Sequence, residues 1–400
     1  LKGMGNSLIG IEDARLVGRS TEKKALWSRF SQYLNHPQSG SVQISASAGM
    51  GKSALCDWFC TAANEFVGAE VLWFTHAPTM GPSDGVLNAF KSYFSLFGVE
   101  KEQYTRLISQ RLCLGEEDAL VTDLTRVFET LFVDESTLEH GYVLSLYERF
   151  SILSQLMIYL AVRRPMVVIV DDVQWAFDTL QFLTAYVNHS ASTAIFVIET
   201  CQSDAKSIPA RLHQLRTRLH EQLSWTHPML LSPLDRQIVI DWFEQMGGVA
   251  SPSQALVDSV AGNPLSIKAL LYTVGAELSD EDVLAHPSLE MLLGRQFALW
   301  QKRTRHMSVL GLQILAVLGR VSRIEEWMGV MVRLGYEPDV DVLTSAIRGQ
   351  LIERNAQNQF IFAHRAILDS AIGVLSQNQA VRLHLETARF LEHEPAPDYA

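Results

Sequence analysis

The loop Ala46-Ser47-Ala48-Gly49-Met50-Gly51-Lys52-Ser53 constrains this chain more than any other segment. It follows a short run that alternates as a strand, Ser41–Ser45, and opens a stretch patterned as a helix over 52–66. The spacing is that of Gly-x-x-x-x-Gly-Lys-[Ser/Thr], with Ala46 in place of the first glycine; a residue this small still permits the tight turn. In a strand–loop–helix setting, consecutive backbone N–H groups curl around an anion and the helix N-terminus adds positive potential. Lys52 is then placed to neutralise β- and γ-phosphate oxygens, and the Ser53 hydroxyl to ligate Mg²⁺. The bland alternative is a glycine-rich turn that matches by accident, and the flanking strand and helix separate the two.

A second segment completes the chemistry. Met166–Val170 is a solid apolar run, as expected of a parallel strand buried on both faces, and it ends in Asp171-Asp172. Ligands of open α/β sheets bind at that C-terminal edge. Asp171 is expected to hold Mg²⁺ beside Ser53, directly or through water, and Asp172 to polarise the attacking water as general base. An Asp after a strand also serves as a helix N-cap, and that reading stays open.

The rest of the chain fits an α/β fold. Further strands are expected at 70–75, 193–199 and 229–231, alternating with helices at 22–34 and 178–188, which argues for a doubly wound parallel sheet. Residues 83–160 are mostly helical and read as an insertion between two strands. After Leu234 come helices at 235–246, 253–260 and 264–275, then at 296–318, 322–334 and 339–349. Two short strands (351–355, 359–363) and helices at 364–376 and 379–393 finish the chain; helices followed by a β-hairpin suggest a winged helix. The expected division is a linker over 1–15, a nucleotide-binding α/β domain over 16–233, a small helical domain over 234–290, and a winged-helix domain with C-terminal helices over 291–400.

Composition narrows the partners. The 400 residues carry a net charge of −11, which makes a poor general binder of nucleic acid or anionic membrane. The basic cluster Lys302-Arg303-Arg305 lies in a segment whose acidic and basic side chains nearly balance, and reads as a solvated helix end. Four scattered cysteines with no Cys-x-x-Cys pair fit a reducing cytoplasm, and Cys56 and Cys60, four apart on one helix, are expected in the core. No apolar stretch reaches the ~20 residues of a membrane span. A first residue of Leu1 rather than Met is read as the edge of a piece of a longer protein.

Several short signatures, in order, resemble the STAND-class P-loop ATPases, signalling relatives of the AAA+ proteins, and especially the ATPase module fused to class III nucleotide cyclases and LuxR-type regulators. Leu16-Val17-Gly18-Arg19 with Glu22 is similar to the family's Val-Gly-Arg entry; Val170-Asp171-Asp172-Val173-Gln174-Trp175-Ala176 to its Asp-Asp-x-x-Trp-Ala; Leu231-Ser232-Pro233-Leu234 to its Leu-x-Pro-Leu. Gly262-Asn263-Pro264-Leu265 matches its Gly-Asn-Pro-Leu, and Phe360-Ile361-Phe362-Ala363-His364 resembles its winged-helix Phe-x-Phe-x-His. The resemblance implies a P-loop NTPase sheet with a helical insertion, then a helical lid and a winged helix. It implies that Val17, Gly18 and Arg19 border adenine, and that Ala46, Ala48, Gly49, Met50, Gly51, Lys52, Ser53 and Ala54 surround the phosphates of ATP or ADP. Pro264 would pack near the base, though it also suits a helix start, and His364 would reach the β-phosphate of ADP. Leu1-Lys2-Gly3 resembles the closing strand of a class III cyclase domain.

Two departures bear on turnover. Phe177 intervenes before Asp178, one residue later than the family's acid, and Glu199-Thr200-Cys201-Gln202 ends without the family's γ-phosphate-sensing arginine. Arg211, Arg216 and Arg218 are the candidates to replace it. The expected function is an ATP/ADP-dependent switch, with Mg²⁺-dependent binding and slow hydrolysis driven by Lys52 and Asp172, that regulates a fused or partner signalling domain, with protein–protein contacts and a homo-oligomer in view. The alternatives are a non-hydrolysing ADP-bound scaffold and a DNA-binding regulator, the last disfavoured by charge.

Overall fold

A computed structural model of the chain describes residues 16–77, 85–96, 99–129, 144–189, 193–203, 209–247, 254–274, 289–304, 306–319, 321–354 and 359–393. The expected linker over 1–15, Leu1-Lys2-Gly3 within it, and Arg305 fall outside them. The first elements among the described residues are α1 (Ser20–Asn35), β1 (Gly40–Ala46), α2 (Lys52–Val67) and β2 (Glu70–Phe74). Among the described residues four α-helices follow before the next strand: α3 (Val86–Phe94), α4 (Tyr104–Leu112), α5 (Ala119–Glu129) and α6 (Leu146–Arg163). Then come β3 (Met166–Val170), α7 (Phe177–His189), β4 (Phe196–Gln202), α8 (Ala210–Gln222) and β5 (Trp225–Leu230).

The five strands form one sheet in the order β2-β3-β4-β1-β5, every pair parallel. All five residues of β3 are buried, as its unbroken apolar run requires of a strand covered on both faces. One face packs Val42, Ile44, Ile169, Phe196 and Ile198 against Phe30 of α1 and Leu55 and Phe59 of α2. There the Phe30, Phe59 and Phe196 rings meet with centroids 5.2–5.7 Å apart. The opposite face packs Val168, Val170 and Val197 against the helices inserted between β2 and β3 and against α7 and α8. β5 carries Pro228 and lies at the sheet edge, where a residue without an N–H is tolerated.

The second half contains α9 (Arg236–Gly247), α10 (Gln254–Ser259), α11 (Pro264–Val274), α12 (Leu289–Arg303), α13 (His306–Leu318), β6 (Val321–Arg323), α14 (Ile324–Arg333) and α15 (Val340–Arg348). β7 (Ile352–Arg354), β8 (Gln359–Phe362), α16 (Arg365–Gly373) and α17 (Gln377–His393) are the last described elements. One core runs through these elements, with Phe243, Leu270, Phe297, Trp300, Leu315, Trp327 and Phe362 in it. No described helix is long and apolar enough to cross a membrane.

Three expectations are corrected. The helix expected over 296–318 is two helices: the Thr304 hydroxyl bonds back to the Trp300 carbonyl at 2.8 Å, a local bond that competes with helix propagation. The helix expected over 322–334 begins only at Ile324, because Val321–Arg323 form β6, too short to show a period, which adds a third antiparallel strand to the expected β7–β8 hairpin in the order β6-β8-β7. β4 begins and ends three residues later than expected, running through Glu199 to Gln202.

The charge inside β4 is tolerated because α8 neutralises it. Glu199 is fully buried; its carboxylate accepts from Arg216 Nε and pairs with His220 Nε2, both at 2.7 Å. Burial pushes its pKa up, but the His220 hydrogen bond and the Arg216 charge outweigh that and hold it below the usual carboxylate value. A depressed folded pKa contributes stability that is present above the unfolded value of about 4.3 and is lost as pH falls through the folded one. Glu199→Gln should therefore cost about 3 kcal/mol near neutral pH. In chemical denaturation followed by circular dichroism across pH, the gap between variant and parent should close in acid.

Candidate functional site

The C-terminal edge of the sheet gathers the singled-out residues. β1 ends at Ala46, and α2 starts at Lys52 after a loop whose turns need positive φ: +78° at Gly49 and +87° at Gly51. A Cβ on Gly49 would meet the Asn263 side-chain oxygen at 2.7 Å and Leu265 Cβ at 2.9 Å, so both the backbone and the packing require glycine there. Gly51 is the N-cap of α2 and supplies no side-chain cap, so the first amides of a 16-residue helix point at the loop's hollow unassisted. The Lys52 ammonium is folded over its own loop, donating to the Ala46 carbonyl at 2.9 Å and to that of Ser47 at 3.1 Å.

Ser53 and Asp171, 118 residues apart in sequence, meet here: the Ser53 hydroxyl lies 3.1 and 3.2 Å from the two Asp171 carboxylate oxygens. β4 separates β1 from β3, and it contributes Thr200. The Thr200 hydroxyl donates to Asp171 Oδ1 at 2.6 Å and accepts the Asp172 amide at 2.9 Å, so one buried side chain fixes both acids. His76, just beyond β2, donates from Nδ1 to the Asp171 carbonyl at 2.9 Å; this makes Nε2 the acceptor of the Thr179 hydroxyl. Asp172 sits at φ +57°, a left-handed conformation that Asp tolerates better than most residues, and precedes a short 3₁₀ turn, Val173–Trp175, without a side-chain capping bond to it.

Residues far along the chain hold the loop from outside. Arg19, buried and itself at φ +62°, donates to the Met50 carbonyl at 3.0 Å, to the Ser232 carbonyl, and to Glu22 at 2.9 Å. Asn263 donates to the Ala48 carbonyl at 2.8 Å, while its own side-chain oxygen accepts the Leu265 and Ser266 amides that open α11. The Leu265 amide also donates to the Gly49 carbonyl at 3.2 Å. Gly18 approaches Leu234 and Ile238, and Val17 packs on the second core. Ala54 is half-buried on the first turn of α2, and Pro264 is the first residue of α11. His364 is the N-cap of α16, its Nδ1 accepting the Ala366 amide at 3.0 Å.

Asn263, Thr200, His76 and the side chain of Arg19 are what sequence reasoning missed as loop and acid contacts. Asn263 carried a signal in its place in Gly-Asn-Pro-Leu, and Arg19 in Val-Gly-Arg; Thr200 and His76 bond across neighbouring strands, which no local pattern reveals. Cys56 and Cys60 are buried as expected, and burial raises both thiols well above their ordinary value. Among the described residues no group of three or more His, Cys, Asp or Glu is arranged to hold a metal. The Ser53 and Asp171 oxygens fit a hard cation that keeps waters and phosphates as its other ligands, which is how Mg²⁺ is usually held.

No family model and no curated protein matches the chain. Solved structures with some likeness include the ORC2 protein of Aeropyrum pernix in ADPNP–ADP complexes, at 14% identity and a TM-score of 0.37 over 90% of this chain and 95% of that one. Drosophila ORC bound to DNA gives 14% identity and a TM-score of 0.38, over 92% and 90%. The HORMA:CdnC:Trip13 complex of E. coli MS115-1 gives 9% and 0.31, over 66% and 76%. At these TM-scores the geometry of the loop, and not the likeness, bears on function.

Thr200→Val keeps the shape and the strand preference but removes the shared hydroxyl. It should leave the part-buried Asp172 amide and the buried Asp171 carboxylate each one partner short and cost about 1–3 kcal/mol. Thermal denaturation should show a lowered first transition; an unchanged midpoint would mean that the hydroxyl bridge contributes nothing.

Proposed function

We propose that the chain is an ATP/ADP-dependent signalling switch of the STAND class, which binds ATP with Mg²⁺, hydrolyses it slowly and regulates a fused or partner output domain. What supports this reading is one observation: the uncapped N-terminus of α2, with Lys52 and Ser53 on it, lies against Asp171 at the sheet edge. An anion docked there meets helix amides and an ammonium, and the Ser53–Asp171 pair supplies oxygens for Mg²⁺. The ion would offset phosphate charge when bound. In hydrolysis a water oxygen bonds to the γ-phosphorus, the bond to the bridging oxygen of the departing ADP breaks, and Asp172 takes the water's proton.

The division expected from the sequence belongs to the same reading: an α/β nucleotide domain over 16–233, a lid over 234–290 and a winged helix over 291–400. On this view Val17, Gly18, Arg19 and Pro264 lie towards the base, and His364 reports on the β-phosphate. The contacts of Asn263 and Leu265 with the loop would let the lid respond to what the loop holds. A ligand shifts such an equilibrium only through unequal affinity for its two states.

The ADP-holding scaffold keeps one specific support. Of the arginines considered as stand-ins for a γ-phosphate sensor, Arg216 is bound to Glu199 and Arg211 lies over the Phe177 ring at 4.7 Å. Stoichiometric bound nucleotide with phosphate release at background would select the scaffold. Duplex binding at low salt would select the DNA-binding reading instead.

Lys52→Ala should weaken nucleotide binding by about 100-fold or more in isothermal titration calorimetry, since it removes charge-assisted bonds to phosphate. Normal affinity in that variant would defeat the proposal. Asp172→Asn should keep the affinity and slow turnover by about 10²- to 10⁴-fold.

A further inference from the structure

The turn after β3 holds a polar side chain that the fold does not need. Gln174 is 3% exposed, and it donates from Nε2 to Asp172 Oδ1 at 3.1 Å. Its other amide atom, Oε1, is buried and has no hydrogen-bond partner among the described residues. An acceptor left in that condition costs on the order of 1–3 kcal/mol, and an apolar side chain of the same length would avoid it. Stability alone therefore argues against glutamine here. The neighbouring groups are already committed: the Asp172 amide goes to Thr200, its carbonyl accepts the Trp175 amide, and its backbone is held at φ +57°. The one part of Asp172 that this backbone leaves to rotate is its carboxylate, and that is the part Gln174 holds.

We propose that Gln174 is a positioning residue for Asp172: its amide fixes the carboxylate through Oδ1 so that Oδ2 is presented at the sheet edge to the water that attacks phosphate. This rests on the hydrolytic reading of the site and adds no step to it. Gln174 acts through Asp172 alone, so its contribution exists only while Asp172 is a carboxylate. The unpartnered Oε1 is the stability sacrificed for that placement, a pattern expected where a site is built for activity rather than for strength of fold.

Gln174→Met tests this, because methionine matches glutamine in length and volume and lacks both amide atoms. Single-turnover phosphate release from radiolabelled ATP should fall about ten- to a hundred-fold. The Kd for ATP should stay within about twofold, and the thermal midpoint should hold or rise. In an Asp172→Asn background the same substitution should change the rate by less than about twofold, since the two residues act as one unit. Gln174→Ala, which opens a cavity, serves as the control for packing: a structural role predicts that it lowers the midpoint and that Gln174→Met slows both backgrounds equally. Equal slowing in both backgrounds, or an unchanged rate in Gln174→Met, overturns the inference while parental turnover leaves the hydrolytic reading in place. A parent chain that binds ATP and releases no phosphate overturns the inference together with that reading.

Discussion

Asp171 is the point on which the sheet edge depends. It is buried, and each of its polar groups is tied to a different part of the fold. Its amide donates to the Phe74 carbonyl at the end of β2, and its carbonyl accepts from His76. Its carboxylate accepts from Thr200 on β4 and Ser53 on α2. Burying a carboxylate without such donors would be far costlier than any single packing contact returns. The acid therefore sets the mutual register of β2, β3 and β4 and the start of α2. A one-residue slip of β3 would also turn its side chains to the opposite faces. The geometry read as a phosphate and magnesium site and the geometry that satisfies a buried acid are the same set of bonds.

The loop is held as tightly from outside as the acid is from within. Met50, Ala48 and Gly49 each give their carbonyl to a donor that lies outside the loop: Arg19, Asn263 and the Leu265 amide. With those carbonyls turned outward and engaged, the loop's curvature is fixed with its amides directed to the other side, which preorganises it for an anion. Two of the three donors open α11, an element of the second core. Any shift of that helix must either move the loop backbone or break these bonds, which is a physical link between the second half of the chain and the loop, independent of what the loop carries.

Much of this was legible in the sequence, and the reason is local. The glycine loop, the apolar run of Met166–Val170 and the two acids after it are short-range patterns, and they place Lys52, Ser53 and Asp171 on neighbouring elements without further information. The resemblance pointed to the Val-Gly-Arg and Gly-Asn-Pro-Leu segments but said nothing of the Arg19 guanidinium or of Asn263, which bond to the Met50 and Ala48 carbonyls of the loop. Thr200 and His76 were illegible because their partners lie across strands that pairing brings together. The break at Thr304 was illegible because a single threonine in a helical pattern carries little signal. β4 was misplaced for the same kind of reason: Glu199 reads as a strand end until Arg216 and His220 are known to face it.

The two faces of β4 cooperate. Successive side chains of a strand point to opposite faces, so Glu199 and Thr200 are committed together. Glu199 faces α8, where Arg216 and His220 hold it; Thr200 then faces the Asp171 side, where its hydroxyl spans the two acids. β4 cannot slide or flip to release one without losing the other. A charged residue in a central strand thus works as a register pin: the ion cluster on one face keeps a neutral hydroxyl aimed at the acids on the other. The strand that lies between the glycine loop and Asp171 is in this way the one least free to move.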